Sequence, residues 1–499
     1  MPKLTVWQNG IRHDKRFEGA PVLSRVLAEM GLSVPQPCGG RGRCGKCRVE
    51  ARGAVSPPNA LEEKAGGRLA CQLVLLDNCE VTLPQSQEMA QIQLEGRGHA
   101  GALHPMAGRY GAAVDLGTTT LALKLYALSD GRNIASAARV NPQTAVAADV
   151  MGRIGAALQG ELPRLERMAL GALDSMVREA CEKAHIPEGS VETLAITGNT
   201  TMLYLLRGLS PLALSRAPFE ADHLFGEWAE ILGRKAYLPP CMNAFVGADI
   251  TCAALASGLA EKEETALLVD VGTNGEIALW KDGALHVAST AAGPAFEGAG
   301  IRMGLSSVPG AIDSVWLEDG RLKAHTIGDM PPKGVCGSGL IDAVAVLLDS
   351  GLIEETGRVE AERLRLAGEV YLYPADIRAV QLAKAAIAAG IRTLMHASGV
   401  KADDIHTLYI AGGFGSHLDI HSAARIGLIP RELTGKVSVI GNAALAGATE
   451  LLLDTKKLTD VALIAASARH VPLGGNPWFN EAYMEEMLFP EEQQGAFRP

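Results

Sequence analysis

The sequence predicts a multi-domain α/β protein in which a small cysteine-bearing domain precedes two lobes built on a duplicated strand–turn–strand motif. Its 499 residues are enough for about three domains. Four cysteines fall within residues 38–71, and an apolar strand followed by Asp-x-Gly-Thr occurs twice, at Asp115 and Asp270. We place the boundaries at 1–84 for the cysteine domain, 85–108 for a linker, 109–260 and 261–475 for the two lobes, and 476–499 for a C-terminal tail.

The composition favours a folded protein and argues against binding to nucleic acid or to a membrane. Hydrophobic residues make up 47% of the chain and charged residues 20%, which is enough for packed cores. The net charge of −10 disfavours general binding to nucleic acid or to an anionic membrane. No apolar run reaches the ~18 residues of a membrane helix, and the first residues lack a signal-peptide core. We therefore expect a soluble cytoplasmic protein with no nucleic-acid or membrane partner.

The first domain is marked by four cysteines with the spacing C-x5-C-x2-C-x23-C, namely Cys38, Cys44, Cys47 and Cys71. The chain has nine cysteines, and an odd number in a reducing compartment argues against a disulfide framework. Four thiolates suit zinc or an iron–sulfur cluster. Zinc ribbons usually show two C-x2–4-C knuckles, whereas Cys71 stands alone. The pattern resembles plant-type [2Fe–2S] ferredoxins, with a first interval one residue longer; structural zinc and unligated cysteines are the alternatives.

The flanks of the cysteine loop agree with a ferredoxin-like β-grasp domain. The sequence predicts short strands at residues 4–7, 47–50 and 80–83, a hairpin turn at 9–10 and one amphipathic helix at 23–30. Cys79 lies outside the cysteine pattern, and we interpret it as a buried spare thiol.

The duplicated motif has the chemistry of a phosphate and Mg²⁺ site. A carboxylate at a strand end can hold Mg²⁺, glycine lets backbone N–H groups approach a phosphate, and threonine hydroxyls add donors. Two such hairpins would clamp a polyphosphate between lobes; ordinary structural turns are the alternative. The candidate residues are Asp115, Gly117, Thr118 and Thr119 in the first copy and Asp270, Gly272, Thr273 and Asn274 in the second.

A third element is an apolar strand that runs into a glycine-rich turn, with Gly412, Gly413, Phe414 and Gly415 as candidates for the adenosine side. In this order the three elements resemble the acetate and sugar kinase/Hsp70/actin superfamily. The resemblance implies a duplicated two-lobed, RNase H-like ATPase. Residues 334–342 read either as a helix start directed toward the nucleotide or as close helix packing.

The combination resembles the reductive activators of corrinoid proteins, which couple an N-terminal [2Fe–2S] domain to such an ATPase. Further matching stretches are residues 141–150, 197–202, 292–298 and 441–448. The resemblance implies a [2Fe–2S] cluster, ATP and Mg²⁺ as cofactors. It also implies transfer of one electron that returns inactive Co(II) to Co(I) in a corrinoid protein of a methyltransferase system. A reductant for the cluster is a further partner, and a homodimer is a family-level expectation.

Other residues carry two interpretations each. Asp149 is a candidate for orienting the attacking water, although an exposed or capping aspartate fits the sequence better. Glu276 is a strand-end support or a base. His417 and His421 flank the last glycine-rich turn, where solvated histidines are usual. The loop at 292–300 either contacts the corrinoid partner or is a structural glycine loop, and the tail should pack in part and fray at its end.

Three other functions compete with reductive activation. A small-molecule kinase would share the hairpins but would not need the four cysteines. An ATP-driven electron donor to another enzyme would resemble the 2-hydroxyacyl-CoA dehydratase activators, which bridge a [4Fe–4S] cluster across a homodimer. A redox-sensing adaptor with a degenerate ATP site would show no nucleotide-dependent change in partner affinity. In our mechanistic hypothesis, ATP closes the lobes and changes the affinity for the Co(II) partner.

Overall fold

The computed structural model describes most of the chain as two compact units. The described residues are 1–8, 11–30, 32, 34, 36, 40–42, 45, 47–83, 94, 96, 103–413 and 418–491. The first unit comprises Met1–Leu94, Ala102–Ala248 and Leu451–Thr455, and the second comprises Glu95–Gly101, Asp249–Glu450 and Lys456–Pro499. The predicted turn at 9–10 and the candidates Cys38, Cys44, Phe414, Gly415 and His417 lie outside the described residues.

The N-terminal domain is a four-stranded mixed sheet that packs against a short helix. Its elements are β1 (Lys3–Gln8), β2 (Ile11–Arg16), α1 (Leu23–Glu29), β3 (Glu50–Val55), α2 (Ala60–Ala65) and β4 (Leu75–Thr82). The strand order is β2-β1-β4-β3, with β1 and β4 parallel and the other pairs antiparallel. Alternate residues of β1, Leu4 and Val6, are fully buried against Leu23 and Leu27 of α1, as a one-sided sheet requires.

Two of the predicted strand bounds in this domain are corrected by the structure. The strand expected at 47–50 begins only at Glu50, because Arg48 pairs with Leu69 as an isolated bridge. The strand expected at 80–83 is longer and starts at Leu75. The β-grasp topology itself is confirmed.

The first lobe is a six-stranded sheet with a long amphipathic helix on one face. Its strands are β5 (Tyr110–Leu116), β6 (Thr120–Ala127), β7 (Arg132–Val140), β8 (Val191–Thr197), β9 (Glu227–Ile231) and β10 (Arg234–Leu238). Its helices are α3 (Val150–Ala156), α4 (Leu162–Ala184) and α5 (Thr200–Leu206). The 23-residue α4 buries Leu165, Leu173 and Met176 on a face of helical period against this sheet.

The second lobe is larger and carries two small accessory sheets. Its first part contains α6 (Ala248–Ser257), β11 (Ala266–Val271), β12 (Gly275–Lys281), β13 (Ala284–Thr290), β14 (Ala311–Glu318), β15 (Arg321–Thr326), β16 (Gly334–Val335) and α7 (Gly337–Asp349). Its second part contains β17 (Leu364–Ala367), β18 (Val370–Leu372), α8 (Pro374–Ser398), β19 (Thr407–Gly412), α9 (Ile420–Arg425), β20 (Val437–Gly441), α10 (Ala443–Leu453), α11 (Lys457–Ala466), β21 (Ala468–His470) and α12 (Pro477–Glu485).

The two main sheets share one topology, which confirms the predicted duplication. The first runs β7-β6-β5-β8-β10 before β9, and the second runs β13-β12-β11-β19-β20 with β21 on the far edge. In both, three antiparallel strands are followed by two strands that add in parallel. This is the arrangement expected for the RNase H-like lobes of the actin and sugar-kinase superfamily.

The linker and the tail are partly built into these units. In the linker, the N–H groups of His104 and Met106 donate to Leu453 and Leu452 at 3.0 and 2.9 Å. In the tail, Phe489 is only 2% exposed. The Nζ atom of Lys384, a fully buried residue of α8, donates to the Leu488 carbonyl at 2.6 Å. Among the described helices, none has both the length and the apolar character needed to cross a bilayer.

Candidate functional site

Two of the four predicted cluster cysteines, Cys47 and Cys71, lie side by side in the N-terminal domain. Their Sγ atoms are 3.3 Å apart, well beyond the ~2.05 Å of a disulfide bond. Both side chains are buried. The pair forms because residues 47–49 run beside residues 68–70, with the N–H of Ala70 donating to the Cys47 carbonyl at 2.8 Å. Two buried thiols at this separation suit a shared metal centre.

Glycine is required in the turn that faces this sulfur pair. Gly42 has a φ of +68°, and a Cβ at this position would lie 2.8 Å from Cδ1 of Leu61. The side chain of Gln72 donates to the Gly40 carbonyl at 2.8 Å and lies 3.5 Å from the Cys71 Sγ. The backbone is thereby held close to the sulfur, as the donor set of an iron–sulfur cluster requires.

Cys79 is chemically distinct from this pair. It lies in β4, where burial and the charge of Asp77 raise the pKa of its thiol to about 11. The neutral thiol is therefore favoured, whereas metal ligation needs the thiolate. This agrees with the interpretation of Cys79 as a spare buried thiol.

Within the described ranges, no three His, Cys, Asp or Glu side chains form a ready-made metal cage. Two of the four cluster cysteines fall outside those ranges. Mg²⁺ usually takes only one or two carboxylates and completes its shell with water and phosphate oxygens. The buried thiols of Cys47 and Cys71 fit two of the four ligands of a [2Fe–2S] cluster, and Mg²⁺ does not require a complete protein cage.

The first Asp-x-Gly-Thr copy forms the turn between β5 and β6. Asp115 is the second-last residue of β5 and pairs across the hairpin with Ala122. Glycine is required at 117, since a Cβ there would lie 2.4 Å from the Thr120 carbonyl. Thr118 and Thr119 follow in the turn, as the motif predicts.

Thr118 is held from the neighbouring helix. The side chain of Asn199 donates to Thr118 Oγ1 at 2.8 Å. Its Oδ1 atom accepts from the N–H of Met202 at 2.9 Å and so caps α5. One asparagine therefore fixes both the helix start and the threonine hydroxyl.

The second copy forms a turn that is one residue shorter. Val271 pairs with Gly275, which leaves Gly272, Thr273 and Asn274 between the strands. The N–H of Gly272 donates to the Asn274 carbonyl at 3.1 Å. A compact three-residue turn thus closes this hairpin.

Acidic side chains surround the second turn. Glu276 is buried and pairs across the hairpin with Asp270. Burial raises the pKa of Glu276 well above its ordinary value, and the charges of Asp249, Asp270 and Glu297 raise it further. Glu297 is also tied to the turn, because its Oε1 accepts from Thr273 Oγ1 at 3.0 Å. A cation at this turn would relieve the repulsion among the carboxylates.

The glycine-rich strand end of β19 lies against Asp270. Gly412 has a φ of +108°, and a Cβ there would lie 2.8 Å from Asp270 Oδ1 and 2.5 Å from the Val271 carbonyl. Only glycine permits this approach. The structure thus brings together Asp270 and Gly412, with Gly413 next in the chain.

Asp149 has a capping role in the structure. It is exposed and precedes α3, and its Oδ1 accepts from the N–H of Gly152 at 2.7 Å. This is the alternative that the sequence favoured for it. Its role in orienting water stays a prediction.

The close helix packing expected at 334–342 is present in the structure, and the alternative, a helix start directed toward the nucleotide, stays a prediction. A Cβ at Gly339 would lie 2.3 Å from the Ile312 carbonyl, so α7 and β14 touch through their backbones. Asp342 is buried on the same helix and accepts from the N–H of Val315 at 3.3 Å. Burial raises the pKa of its carboxyl to about 6.

The structure adds residues to which sequence reasoning gave no role. Around the first turn these are Asn141, Arg153 and Asn199, and around the second they are Asp249 and Glu297. A signal was present for three of them, since Asn141, Asn199 and Glu297 lie in the stretches that resemble the activator family.

A ferredoxin-type domain followed by two lobes of one sheet topology, each with an Asp-x-Gly-Thr hairpin, defines an iron–sulfur ATPase of the actin and sugar-kinase superfamily. Comparisons with protein families agree. Residues 11–76 match the 2Fe-2S iron-sulfur cluster binding domain. Residues 110–262 match the RACo middle region, and residues 264–498 match the C-terminal ASKHA domain of RACo.

Named relatives define the family. The corrinoid activation enzyme RamQ of Eubacterium limosum is 34% identical over 76% of this chain and 70% of its own length. The [Co(II) methylated amine-specific corrinoid protein] reductase of Methanosarcina barkeri is 28% identical over 76% of this chain and 77% of its own. A solved structure of a reductive activator for a corrinoid iron–sulfur protein aligns with a TM-score of 0.74 at 25% identity over 98% of both chains. The chain belongs to the family of reductive activators of corrinoid proteins.

Proposed function

We propose that this protein is an ATP-dependent reductive activator that transfers one electron to a corrinoid protein of a methyltransferase system, converting inactive Co(II) to Co(I). A [2Fe–2S] cluster held by Cys38, Cys44, Cys47 and Cys71 supplies the electron when it is bound. A separate reductant recharges the protein after each transfer, and the working assembly is a homodimer.

The observation that carries the proposal is that one chain contains both a buried pair of cysteines and an acidic turn suited to a nucleotide. The buried sulfur pair of Cys47 and Cys71 suits an electron-carrying centre. The acid-lined turn at Asp270 and Glu276 suits a nucleotide with its cation. A kinase has no use for the first site, and a simple ferredoxin has no use for the second.

The energy scale makes the coupling to ATP reasonable. Plant-type clusters lie near −400 mV. If the reduction potential of the cobalt acceptor is about 150–200 mV lower, transfer of one electron costs roughly 3.5–5 kcal/mol, because ~59 mV corresponds to a tenfold change in the equilibrium constant. Moving a two-state equilibrium from 1:99 to 99:1 takes about 5.5 kcal/mol. Differential binding and hydrolysis of a nucleotide can supply free energy on that scale.

The protein groups divide the work of nucleotide binding. The carboxylates of Asp270 and Glu276, with Glu297 beside them, attract and orient Mg²⁺ at the second turn. The backbone of Gly117, Thr118 and Thr119 receives phosphate at the first turn, with Asp115 at its strand end. Gly412 and Gly413 leave room for the adenosine.

Two variants test this division of labour in the full-length protein under anaerobic conditions. Cys44→Ser should abolish electron transfer and leave ATP binding unchanged. Asp270→Ala should abolish ATP-dependent transfer and leave the visible spectrum of the cluster unchanged. Transfer is followed by the Co(I) absorbance, nucleotide binding by calorimetry, and the cluster by its spectrum and iron content.

Matched controls keep the test specific. Cys79→Ser changes a buried cysteine outside the ligand set and should keep the cluster. Asp282→Asn changes an exposed aspartate at the other end of β12 and should keep ATP hydrolysis. ATP-dependent transfer to another enzyme but to no corrinoid protein would replace the proposal with a general electron donor. If Cys44→Ser and Asp270→Ala each lost both the cluster and ATP binding, the division into two sites would be contradicted.

A further inference from the structure

The first phosphate turn is held from behind by two side chains whose role is otherwise unexplained. The side-chain amide of Asn141 donates to the Gly117 carbonyl at 2.8 Å, and its backbone N–H donates to the Thr119 carbonyl at 2.8 Å. Nη2 of Arg153 donates to the Thr118 carbonyl at 2.5 Å. The carbonyl groups of Gly117, Thr118 and Thr119 are therefore tied to Asn141 and Arg153.

These bonds set the direction of the backbone N–H groups. In a planar trans peptide the C=O and the N–H point in opposite directions. With the carbonyls of Gly117 and Thr118 directed at Asn141 and Arg153, the N–H groups of Thr118 and Thr119 face the other side of the turn. That orientation is the one that a phosphate-binding turn needs.

Arg153 also contributes a buried charge with only neutral acceptors. Its side chain is 0% exposed. Besides the Thr118 carbonyl, it donates to the Ala147 carbonyl at 3.1 Å, to Gln143 Oε1 at 3.3 Å and to Met202 Sδ at 3.0 Å. Among the described residues no carboxylate forms an ion pair with it.

The guanidinium remains charged at neutral pH. Burial lowers the pKa of Arg153 to about 9, and the charge of Asp149 counters part of this effect. Since a pKa of about 9 still lies above neutrality, the protein keeps a cation behind this turn that no described carboxylate pairs with directly. A buried cation without a counter-ion is costly, and an anion nearby lowers that cost.

We propose that Arg153 is the positioning residue of the first phosphate turn, acting through the Thr118 carbonyl to orient the turn and to favour the phosphates of a nucleoside triphosphate. This inference rests on the proposed function, because it assumes that the nucleotide binds at this turn. The counter-charge that Arg153 lacks in the protein is supplied by the bound phosphates.

The test compares two substitutions with a matched control in the full-length protein. Arg153→Gln removes the charge, and Arg153→Lys keeps the charge but loses the planar set of donors. Arg234→Gln is the control, because Arg234 is a largely buried arginine of the same lobe that faces Glu188 instead of the turn. The measurements are the Kd of ATP, ADP and adenosine by calorimetry, and the melting temperature of each variant.

Arg153→Gln should raise the Kd of ATP by about 10- to 100-fold, the range of a lost charge-assisted hydrogen bond. The Kd of adenosine should be unchanged, because adenosine carries no phosphate. Arg153→Lys should show a smaller loss for ATP, and Arg234→Gln should show none. In steady state, the KM for ATP should rise more than kcat falls.

Two results would overturn the inference. One is a lower melting temperature with an unchanged Kd for ATP, which is the signature of a merely structural residue. Another is an equal loss for ATP and adenosine. If Arg153→Gln does not fold, the same comparison is made with Arg153→Lys. An increase in the Kd of ATP without an equal increase in the Kd of adenosine then supports the inference, and equal increases contradict it. Failure of the wild-type protein to bind ATP at all would instead reject the proposed function.

Discussion

The two phosphate turns share a fold but differ in charge. Both lie between the first two strands of a sheet with the same strand order. The first turn is backed by the buried guanidinium of Arg153, and the residue across from Asp115 is Ala122. The second turn is surrounded by carboxylates, and the residue across from Asp270 is Glu276.

This difference shows how a duplicated scaffold can divide one task. A cation behind a turn favours an anion in front of it, and clustered carboxylates favour a cation. This contrast supports the proposal that the turn at Gly117 serves phosphate and the turn at Gly272 serves mainly Mg²⁺. Duplication preserved the backbone, and the side chains behind each turn set its chemistry.

The aspartates should give the largest effects and should separate the two turns. Asp270→Ala should lower ATP hydrolysis by about 100-fold or more, within the range for losing one preorganised charge at a reacting phosphate. It should also raise the Mg²⁺ concentration needed for half-maximal rate more than Asp115→Ala does. Mg²⁺ titration of phosphate release measures both. A stronger Mg²⁺ effect from Asp115→Ala would break the comparison.

The glycines should respond unequally to an added methyl group. At Gly117 a Cβ would lie 2.4 Å from the Thr120 carbonyl, whereas at Gly272 the nearest atom would be 3.5 Å away. Gly117→Ala should therefore cost about 1–3 kcal/mol of unfolding free energy. Gly272→Ala should change it by less than about 0.5 kcal/mol. Denaturant unfolding of the nucleotide-free protein measures both, and equal costs would show that the turns are not built differently.

Glu276 should be a residue whose removal stabilises the protein while weakening its function. Glu276→Gln replaces a buried carboxyl that is costly to ionise among other carboxylates. In metal-free buffer, at a pH where Glu276 is ionised, it should raise the unfolding free energy by about 1–2 kcal/mol. Its affinity for Mg²⁺–ATP should fall. Exposed Glu230→Gln serves as the control and should do neither.

The pH dependence of this stabilisation follows from the direction of the pKa shift. The pKa of Glu276 is raised in the folded protein above its ordinary 4.5. Its protonated form therefore contributes stability below pH ~4.5, and that contribution is lost as the pH rises through the folded pKa. The stability difference between Glu276→Gln and the wild type should grow as the pH rises from about 4.5 to the folded pKa of Glu276 and stay level above it. A constant difference would contradict the shift.

Two helix-capping asparagines should give the smallest of the expected effects when each is changed to alanine. Asn199 caps α5 and also holds Thr118, whereas Asn476 caps α12 by accepting from the N–H groups of Trp478 and Phe479. Each change to Ala should cost about 1 kcal/mol of unfolding free energy. Only Asn199→Ala should also raise the Kd of ATP, by several-fold. An equal Kd in both variants would remove Asn199 from the phosphate turn.

The sequence predicted the fold because its strongest signals are local. The cysteine spacing and the repeated strand–turn motif each occupy fewer than 40 residues, and each implies a topology. The shared strand order confirms the duplication. Strand bounds were less accurate, as at β3, where pairing of Arg48 with Leu69 decides where the regular ladder begins.

The supports of the site could not be predicted because they depend on tertiary contacts. Arg153 lies 35 positions after Thr118 in the chain, and nothing in its local pattern indicates that its side chain turns toward that carbonyl. Asp249 and Glu297 act on Glu276 from segments before and after it in the chain. Capping of α3 by Asp149, in contrast, was one of the two roles that the sequence predicted. An N-cap can be predicted from sequence because aspartate is a preferred residue just before a helix.

The most direct test of the account is a single-turnover experiment with the wild-type protein. The anaerobically reduced protein is mixed with a Co(II) corrinoid protein in the presence or absence of Mg²⁺ and ATP, and the Co(I) absorbance is followed. The account predicts that Co(I) forms with Mg²⁺–ATP, one equivalent per reduced cluster, and that little forms without the nucleotide. Equal formation of Co(I) without ATP, or a protein that contains zinc and no iron, would contradict it.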